Sequence, residues 1–202
     1  MNYRLEQLIN GPAGTHPFWD AVMFNAAYLG EAIFVAVVVV WFLAGWWRGS
    51  PRDRQGAIAA LLAALAGLLI NLIISHIYYE PRPFVTHPLT VHLLLHHGRD
   101  ASFPSDHASA GFGIATVLFI YRRRWGALLL FFAALMSYAR VYVGDHYPGD
   151  VAAGLVIGVL VGMVVVRWLG PLVIWLQRSG DRLIVAWHLP FAERISPDLS
   201  ST

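Results

Sequence analysis

The segment GDHYPGDVAAGLVIGVLVGMVVVRW, residues 144–168, joins a short polar stretch to a long apolar one. About 20 mostly apolar residues suffice to cross the hydrocarbon core of a bilayer, so residues 151–169 are predicted to form a membrane-spanning helix. Gly154, Gly158 and Gly162 recur at a spacing of four residues. Small residues at this spacing let two helices approach closely, so they are predicted to form a packing face.

Four further stretches have a similar apolar composition, at 21–47, 56–77, 107–121 and 126–143. The last two are short and would need flanking residues to cross the membrane. Strand alternation is absent, and a backbone in lipid must form its hydrogen bonds internally. The predicted fold is therefore all-α, a polytopic membrane helix bundle with five transmembrane helices, or six if residues 171–189 also cross.

Residues 1–170 are predicted to form one membrane-embedded domain, and residues 171–202 an amphipathic segment with a cytoplasmic tail. The polar interruption at 177–182 favours a helix at the membrane surface over a sixth span. The segment YRLEQLIN, residues 3–10, is predicted to form a second short interfacial helix, ended by Gly11 and Pro12.

All 14 basic residues are arginines, because the sequence contains no lysine. In a five-span bundle the arginine clusters at 48–54, at 122–124 and in the tail share one side, which the positive-inside rule makes cytoplasmic. The net charge of +2 is too small to indicate a nucleic-acid partner. The absence of cysteine excludes thiolate metal sites and thiol nucleophiles.

Polar clusters occur at the opposite, outer ends of the predicted spans: YYEPRPF at 78–84, SFPSDHAS at 102–109 and ARVYVGDHYPGD at 139–150. Polar groups near lipid are costly, so such clusters indicate function. Ser105 is predicted to cap a helix whose unpaired N–H groups and dipole favour an anion. His107 lies in the first turn of that helix.

The third cluster places His146 just before a helix and Asp150 within its first turn. The carboxylate can hold one imidazole nitrogen and leave the other free to attack. Arg82 and Arg140 present planar forks that meet phosphate oxygens in pairs. With His107 as the proton donor to the leaving oxygen, these residues outline a phosphoryl-transfer site that forms and hydrolyses a phosphohistidine.

These motifs resemble the superfamily of type 2 phosphatidic acid phosphatases, whose pattern is K-x6-R-P, then P-S-G-H, then S-R-x5-H-x3-D. The residues at these motif positions are Arg82, Pro83, Pro104, Ser105, Asp106, His107, Arg140, His146 and Asp150. The resemblance covers residues 16–170. It implies that His146 is the nucleophile, Asp150 its partner and His107 the general acid. It also implies no metal or cofactor, and phosphate binding by three residues, Arg82, Ser105 and Arg140.

Three positions depart from that pattern: Ser75 replaces the lysine, Asp106 the glycine and Ala139 the serine. Ser75 and Asp106 are candidates for contact with substrate at these motif positions. Asp106 at a helix start also favours the helix dipole. Glu31, a carboxylate inside the first span, either supports the site or forms a satisfied packing pair with Asn25.

The SFPSDHA motif and the five-span layout are most similar to the bacitracin-resistance type of undecaprenyl-diphosphate phosphatase. That similarity implies a multi-pass enzyme of the bacterial cytoplasmic membrane with its active site on the extracytoplasmic side. It would hydrolyse the lipid undecaprenyl diphosphate to undecaprenyl phosphate and so recycle the carrier lipid for cell-wall synthesis.

Two alternatives stay open at this point. The first keeps the chemistry but changes the substrate to phosphatidic acid or phosphatidylglycerophosphate. The second is a membrane transporter or sensor that uses His107, His146 and Asp150 for protons or metal. The oligomeric state is not indicated by the sequence.

Overall fold

A computed structural model describes residues 2–96 and 98–187. Within these residues the chain forms eight α-helices, and a single isolated bridge joins Pro81 to Ala101. The predicted all-α class is confirmed. The helices are α1 (Asn2–Asn10), α2 (Pro17–Trp47), α3 (Pro51–Ile77), α4 (Pro83–Thr86), α5 (Asp106–Tyr121), α6 (Arg123–Tyr142), α7 (Pro148–Trp168) and α8 (Gly170–Ala186).

Proline marks the start of the three longest helices, at Pro17, Pro51 and Pro148. A helix leaves its first N–H groups unpaired, so a residue without an N–H costs little there, and its fixed φ suits the helix. Ser50 completes the start of α3, because its Oγ accepts a hydrogen bond from the Asp53 N–H at 3.3 Å.

Four of the described helices, α2, α3, α6 and α7, are long and apolar enough to cross a membrane. The fifth predicted span, α5, has 16 residues and a length of about 24 Å, short of a hydrocarbon core of roughly 30 Å. It lies at the centre of the bundle, packed against α3, α6 and α7. Because ten of its 16 residues are buried in protein, α5 does not need the length of a lipid-facing helix.

The two ends of α5 lie at opposite ends of the bundle. Next to its C-terminus, Arg122 donates two hydrogen bonds, of 2.9 and 2.7 Å, to the Asp53 carboxylate at the start of α3. At its N-terminus, Asp106 accepts a hydrogen bond of 2.8 Å from Asn71, near the end of α3. The two helices therefore run antiparallel, and the arginine-rich end of the bundle is opposite to the end that holds Asp106.

The glycine face of α7 packs directly against α5, as its spacing predicts. A Cβ atom added at Gly154 would lie 2.7 Å from the carbonyl oxygen of Ser105, and one at Gly158 would lie 2.4 Å from that of Ser109. Both distances are shorter than a carbon–oxygen contact allows, so only glycine permits this approach. The contact holds the N-termini of α5 and α7 side by side.

α8 packs against the first turns of α3 at the arginine-rich end. Arg54 forms an ion pair of 2.8 Å with Asp181, and Gln55 donates to Gln177 at 3.0 Å. The helix has 17 residues and carries these polar groups in its middle, which favours the predicted surface helix over a sixth span. The domain boundary at residue 170 stays a prediction, and the tail from residue 188 lies outside the described residues.

α1 confirms the short N-terminal helix and packs against α6 and α7. Its last residue, Asn10, donates hydrogen bonds to the carbonyl oxygens of Tyr142, at 2.7 Å, and His92, at 2.8 Å. Glu6 is fully buried, and its carboxyl oxygens have no hydrogen-bond partner among the described residues. Burial raises the pKa of Glu6 from 4.5 to about 7.

We expect Glu6→Gln to stabilise the protein at alkaline pH. The unfolded carboxyl ionises near pH 4.5 and the folded one near 7, so wild-type protein loses stability as the pH rises through that interval. The loss above pH 7 is about 3 kcal/mol, and the neutral amide avoids it. Thermal unfolding in detergent should show a higher Tm for the variant at about pH 8 and similar Tm values at about pH 4. A pH-independent difference would contradict this explanation.

Candidate active site

Backbone hydrogen bonds join the three polar clusters at one end of the bundle. The Ser102 N–H donates to the carbonyl oxygen of Glu80 at 2.8 Å, which links the first cluster to the second. The Ser105 N–H donates to the carbonyl oxygen of Asp150 at 3.1 Å, which links the second to the third. The predicted convergence of the clusters therefore exists in the fold.

His146 lies in the loop between α6 and α7, with polar groups on both sides of its ring. Its Nδ1 is 3.4 Å from the Ser102 Oγ and 3.5 Å from the Asp150 Oδ2. Ser102 donates its hydroxyl proton to the same Asp150 oxygen at 2.5 Å, and the Tyr147 N–H donates to it at 2.8 Å. With its own proton committed, the Ser102 oxygen accepts one from Nδ1. This places the ring proton on Nδ1 and leaves Nε2 as the free acceptor.

The surroundings of His146 favour its neutral form. Only 2% of the residue is exposed, and this burial is the main reason that its pKa is well below the ordinary value. The Asp145 carboxylate opposes that shift, whereas the positive charges of Arg82, Arg140 and His107 add to it. The ring is therefore uncharged at neutral pH, as a nitrogen nucleophile must be.

Arg82 and Arg140 lie on the Nε2 side of the ring, and both are buried. The Arg82 NH1 atom is 3.4 Å from Nε2 of His146 and 2.7 Å from Oδ1 of Asp145. Its Nε donates to Asp100 at 2.8 Å. Arg140 contacts the other oxygen of Asp145 through NH2. Two guanidinium groups beside a free imidazole nitrogen form a site suited to phosphate oxygens.

His107 lies close enough to His146 for its charge to affect that ring. Its Nε2 is 3.3 Å from Oε2 of Glu31 on α2, so Glu31 lies at the site. Asn25, the alternative partner of Glu31, instead donates to the Ala21 carbonyl oxygen of its own helix at 2.7 Å. The contact with His107 favours the site-support interpretation of Glu31.

Ser105 and Asp106 form the start of α5. The Ser105 Oγ accepts from the Ala108 N–H at 3.5 Å, so the predicted N-cap is present, and Ser105 is fully buried. Asp106 is exposed, and its contact with Asn71 turns it toward α3. The predicted contacts of Ser105 and Asp106 with substrate stay predictions.

Ser75 does not join this group of side chains. Its hydroxyl donates to the carbonyl oxygen of Leu72, one turn earlier in α3, at 3.0 Å. The expectation that Ser75 contacts substrate therefore gains no support from the structure.

An apolar groove leads away from His107 and Asp106 between α2, α3 and α5. Its volume is about 490 Å³, and Glu31 lies on its wall. The side chains that line it are mostly aliphatic or aromatic, among them Phe34, Val35, Leu61, Leu65, Leu68 and Ile114. Within the described residues, no three histidine or acidic side chains are arranged to hold a metal ion.

Two residues at the site were missed by the sequence analysis. Ser102 opens the SFPSDHAS motif, but a serine there has no distinguishing signal without its partner, Asp150. Asp145 immediately precedes His146 and is fully buried between the two arginines. A carboxylate next to the candidate nucleophile was a visible signal, although its contacts could not be read from the sequence.

The fold and the site together define a helical membrane protein in which two buried arginines lie beside a buried histidine at one end of the bundle. The family model of the PAP2 superfamily matches residues 56–174. The chain belongs to the PAP2 superfamily, as its three motifs indicated.

Individual relatives extend this similarity over most of the chain. The undecaprenyl-diphosphatase BcrC of Bacillus subtilis (strain 168) is 36% identical over 168 residues, which are 83% of this chain and 84% of BcrC. The bacitracin transport permease protein BcrC of Bacillus licheniformis is 33% identical over 150 residues, covering 74% of this chain and 70% of that one. The crystal structure of Aquifex aeolicus LpxE superposes with a TM-score of 0.68 at 29% identity, covering 82% of this chain and 94% of LpxE.

We expect Ser102→Ala to lower kcat by about 10- to 100-fold, because it removes a hydrogen bond to a buried carboxylate and loosens the His146 ring. KM should change little, since Ser102 does not face the arginines. Phosphate release from a lipid phosphate measures both constants.

Ser137→Ala is the matched control. Ser137 is also a buried serine, but its hydroxyl has no partner in the described part of the chain and lies outside the site. Equal losses of activity in the two variants would show that Ser102 acts only through general stability.

Proposed function

We propose that the protein is an undecaprenyl-diphosphate phosphatase that releases inorganic phosphate and leaves undecaprenyl phosphate. The observation that carries this proposal is the position of His146, with Nδ1 held by Ser102 and Asp150 and Nε2 facing two buried arginines. The similarity to the undecaprenyl-diphosphatase of Bacillus subtilis supports the choice of substrate.

In the first step, Nε2 of His146 attacks the terminal phosphorus and the bond to the bridging oxygen breaks. Arg82 and Arg140 bind the non-bridging oxygens and stabilise the charge on the five-coordinate phosphorus. His107 donates a proton to the departing oxygen of the lipid monophosphate. The products of this step are the lipid phosphate and a phosphohistidine.

In the second step, a water molecule attacks the phosphohistidine and the N–P bond breaks. His107, now unprotonated, accepts the proton of that water and returns to its starting form. Asp150 and Ser102 hold the imidazole during both steps, and Asp150 stabilises the positive charge that the ring carries. Inorganic phosphate then leaves the two arginines.

The apolar groove supports a lipid substrate. It begins at His107 and continues between the apolar faces of α2, α3 and α5, so a headgroup at the histidines would have its tail among apolar side chains. Glu31 lies where headgroup and tail would meet. This arrangement suits an isoprenyl chain, and it also suits the acyl chains of phosphatidic acid or phosphatidylglycerophosphate.

The distribution of arginines supports an extracytoplasmic site. Arg54 and Arg122 form their ion pairs at the end of the bundle opposite to His146. The clusters at 48–54 and 122–124 therefore mark the cytoplasmic end by the positive-inside rule. In a bacterial cytoplasmic membrane the site would then meet carrier lipid released outside the cell during wall synthesis.

We expect His146→Ala to abolish phosphate release from undecaprenyl diphosphate, a loss of about 10⁴-fold or more because the nucleophile is removed. His16→Ala is the control, since this histidine is exposed next to the start of α2 and lines a pocket with Tyr138 and Tyr142, not with His146 or the two arginines. Acid-labile phosphate trapped on wild-type protein and absent from His146→Ala would identify the intermediate. Full activity of His146→Ala would refute the mechanism.

A panel of lipids tests the substrate. Relative kcat/KM for undecaprenyl diphosphate, phosphatidic acid and phosphatidylglycerophosphate should be highest for the first. Vanadate, which adopts the five-coordinate geometry, should inhibit hydrolysis. The name of the Bacillus licheniformis relative, a bacitracin transport permease protein, is consistent with the transporter or sensor alternative. That alternative predicts no turnover of any lipid and no effect of vanadate.

The pH profile tests the protonation state of the nucleophile. Because burial holds the pKa of His146 well below 6.5, its ring stays neutral at pH 6.5 and gains a proton only at lower pH. We therefore expect the acid limb of kcat/KM to lie below pH 6.5. The contrary result is a loss of activity around pH 6.5 or above, with a midpoint that Ser102→Ala does not shift. That result would assign the acid limb to a group other than His146.

A further inference from the structure

The proposed mechanism gives no role to Asp145, although its carboxylate lies at the centre of the site. The residue is fully buried, with Oδ1 2.7 Å from NH1 of Arg82 and Oδ2 in contact with NH2 of Arg140. The same Oδ2 is 3.5 Å from Nε2 of His146. The Asp145 carboxylate therefore contacts Arg82, Arg140 and His146, the three residues that bind or attack the phosphoryl group in the proposed mechanism.

Carboxylate and phosphate oxygens are bound by guanidinium groups in the same way, through short charge-assisted hydrogen bonds. A phosphoryl group attacked by Nε2 of His146 and held by Arg82 and Arg140 needs these NH1 and NH2 donors. Asp145 forms ion pairs with both of these nitrogen atoms. The two anions therefore compete for the same pair of positive charges.

The charges lead to the same conclusion. Asp145 neutralises part of the positive charge of Arg82 and Arg140, and all three side chains are buried where water and salt screen poorly. An ionised Asp145 also repels a phosphate dianion placed beside it. Asp100, which pairs with the Nε atom of Arg82, has a side chain that is 63% exposed, so solvent weakens its effect.

We propose that Asp145 is an internal competitor for the phosphate site: its carboxylate occupies Arg82 and Arg140 when the site is empty and is displaced when a phosphoryl group binds. Asp145 thereby lowers the affinity of the site for inorganic phosphate and favours release of this product. The inference rests on the proposed function only in taking phosphate as the bound group, and it is independent of the lipid.

The alternative role for Asp145 is to position the two arginines for phosphate. The two roles predict opposite effects of its removal. If Asp145 competes, an uncharged residue at this position strengthens phosphate binding. If Asp145 positions the arginines, the same change weakens it.

Isothermal titration calorimetry of the purified full chain in detergent, with inorganic phosphate and with orthovanadate, measures this affinity directly. We expect Asp145→Asn, which keeps the shape and removes the charge, to lower the Kd for both anions by about tenfold or more. Asp100→Asn is the matched control and should lower the Kd by about twofold or less, because the Asp100 carboxylate is itself solvated. An unchanged or higher Kd in Asp145→Asn, or a larger decrease in Asp100→Asn, would overturn the proposal.

Thermal unfolding supplies a second readout on the same proteins. Asp145→Asn leaves two buried guanidinium groups without their carboxylate, so its Tm without phosphate should be lower than that of wild type. Phosphate should then raise the Tm of the variant more than that of wild type, since at one ligand concentration the stabilisation increases with the logarithm of the affinity. An equal or smaller increase would contradict the competition.

A third test uses only wild-type protein, so it does not depend on whether a variant folds. A difference infrared spectrum recorded on addition of vanadate should contain a carboxylate band, because Asp145 leaves its guanidinium partners. A spectrum without such a band would refute the displacement. Hydrolysis of the lipid panel is measured separately. If Asp145→Asn binds phosphate more tightly but undecaprenyl diphosphate is not hydrolysed, that substrate is rejected and the proposal that Asp145 competes with phosphate stands.

Discussion

The close contact between α5 and α7 is the constraint on which the site depends. Gly154 and Gly158 bring the two helices so near that a single added carbon atom would collide with the backbone of α5. Because the contact begins at the N-termini, the Ser105 N–H reaches the Asp150 carbonyl oxygen across it. The N-termini of α5 and α7, which are far apart in the chain, are thereby held side by side. This contact also positions the residues that surround His146.

Burial determines the chemistry of the residues so placed. It keeps the His146 ring neutral, and hydrogen bonding on the Ser102 and Asp150 side leaves Nε2 without a proton. The same burial makes Arg82 and Arg140 dependent on a close anion, since an uncompensated charge in the interior is costly. Asp145 is the anion that contacts both arginines, and a phosphoryl group is the anion that we propose displaces it.

The ends of the bundle differ in what their charges do. Arg122 forms an ion pair with Asp53, and Arg54 forms one with Asp181. These ion pairs join α3 to its neighbours, so the two arginines stabilise the packing of the helices. At the other end Arg82 and Arg140 face a histidine. The apolar groove between α2, α3 and α5 opens beside His107.

The sequence by itself determined the helices, the membrane character and the motif residues of the site, because apolar runs, helix-starting prolines and motif spacing are local properties. It also predicted the packing of the α7 glycines. The tertiary structure alone decided that α5 lies at the centre of the bundle, that Glu31 contacts His107, that Ser75 bonds within its own helix, and that Ser102 and Asp145 belong to the site. Ser102 contacts His146 across 44 positions and Arg82 contacts it across 64, and pairings at such separations are set by how the helices pack, on which local sequence is silent.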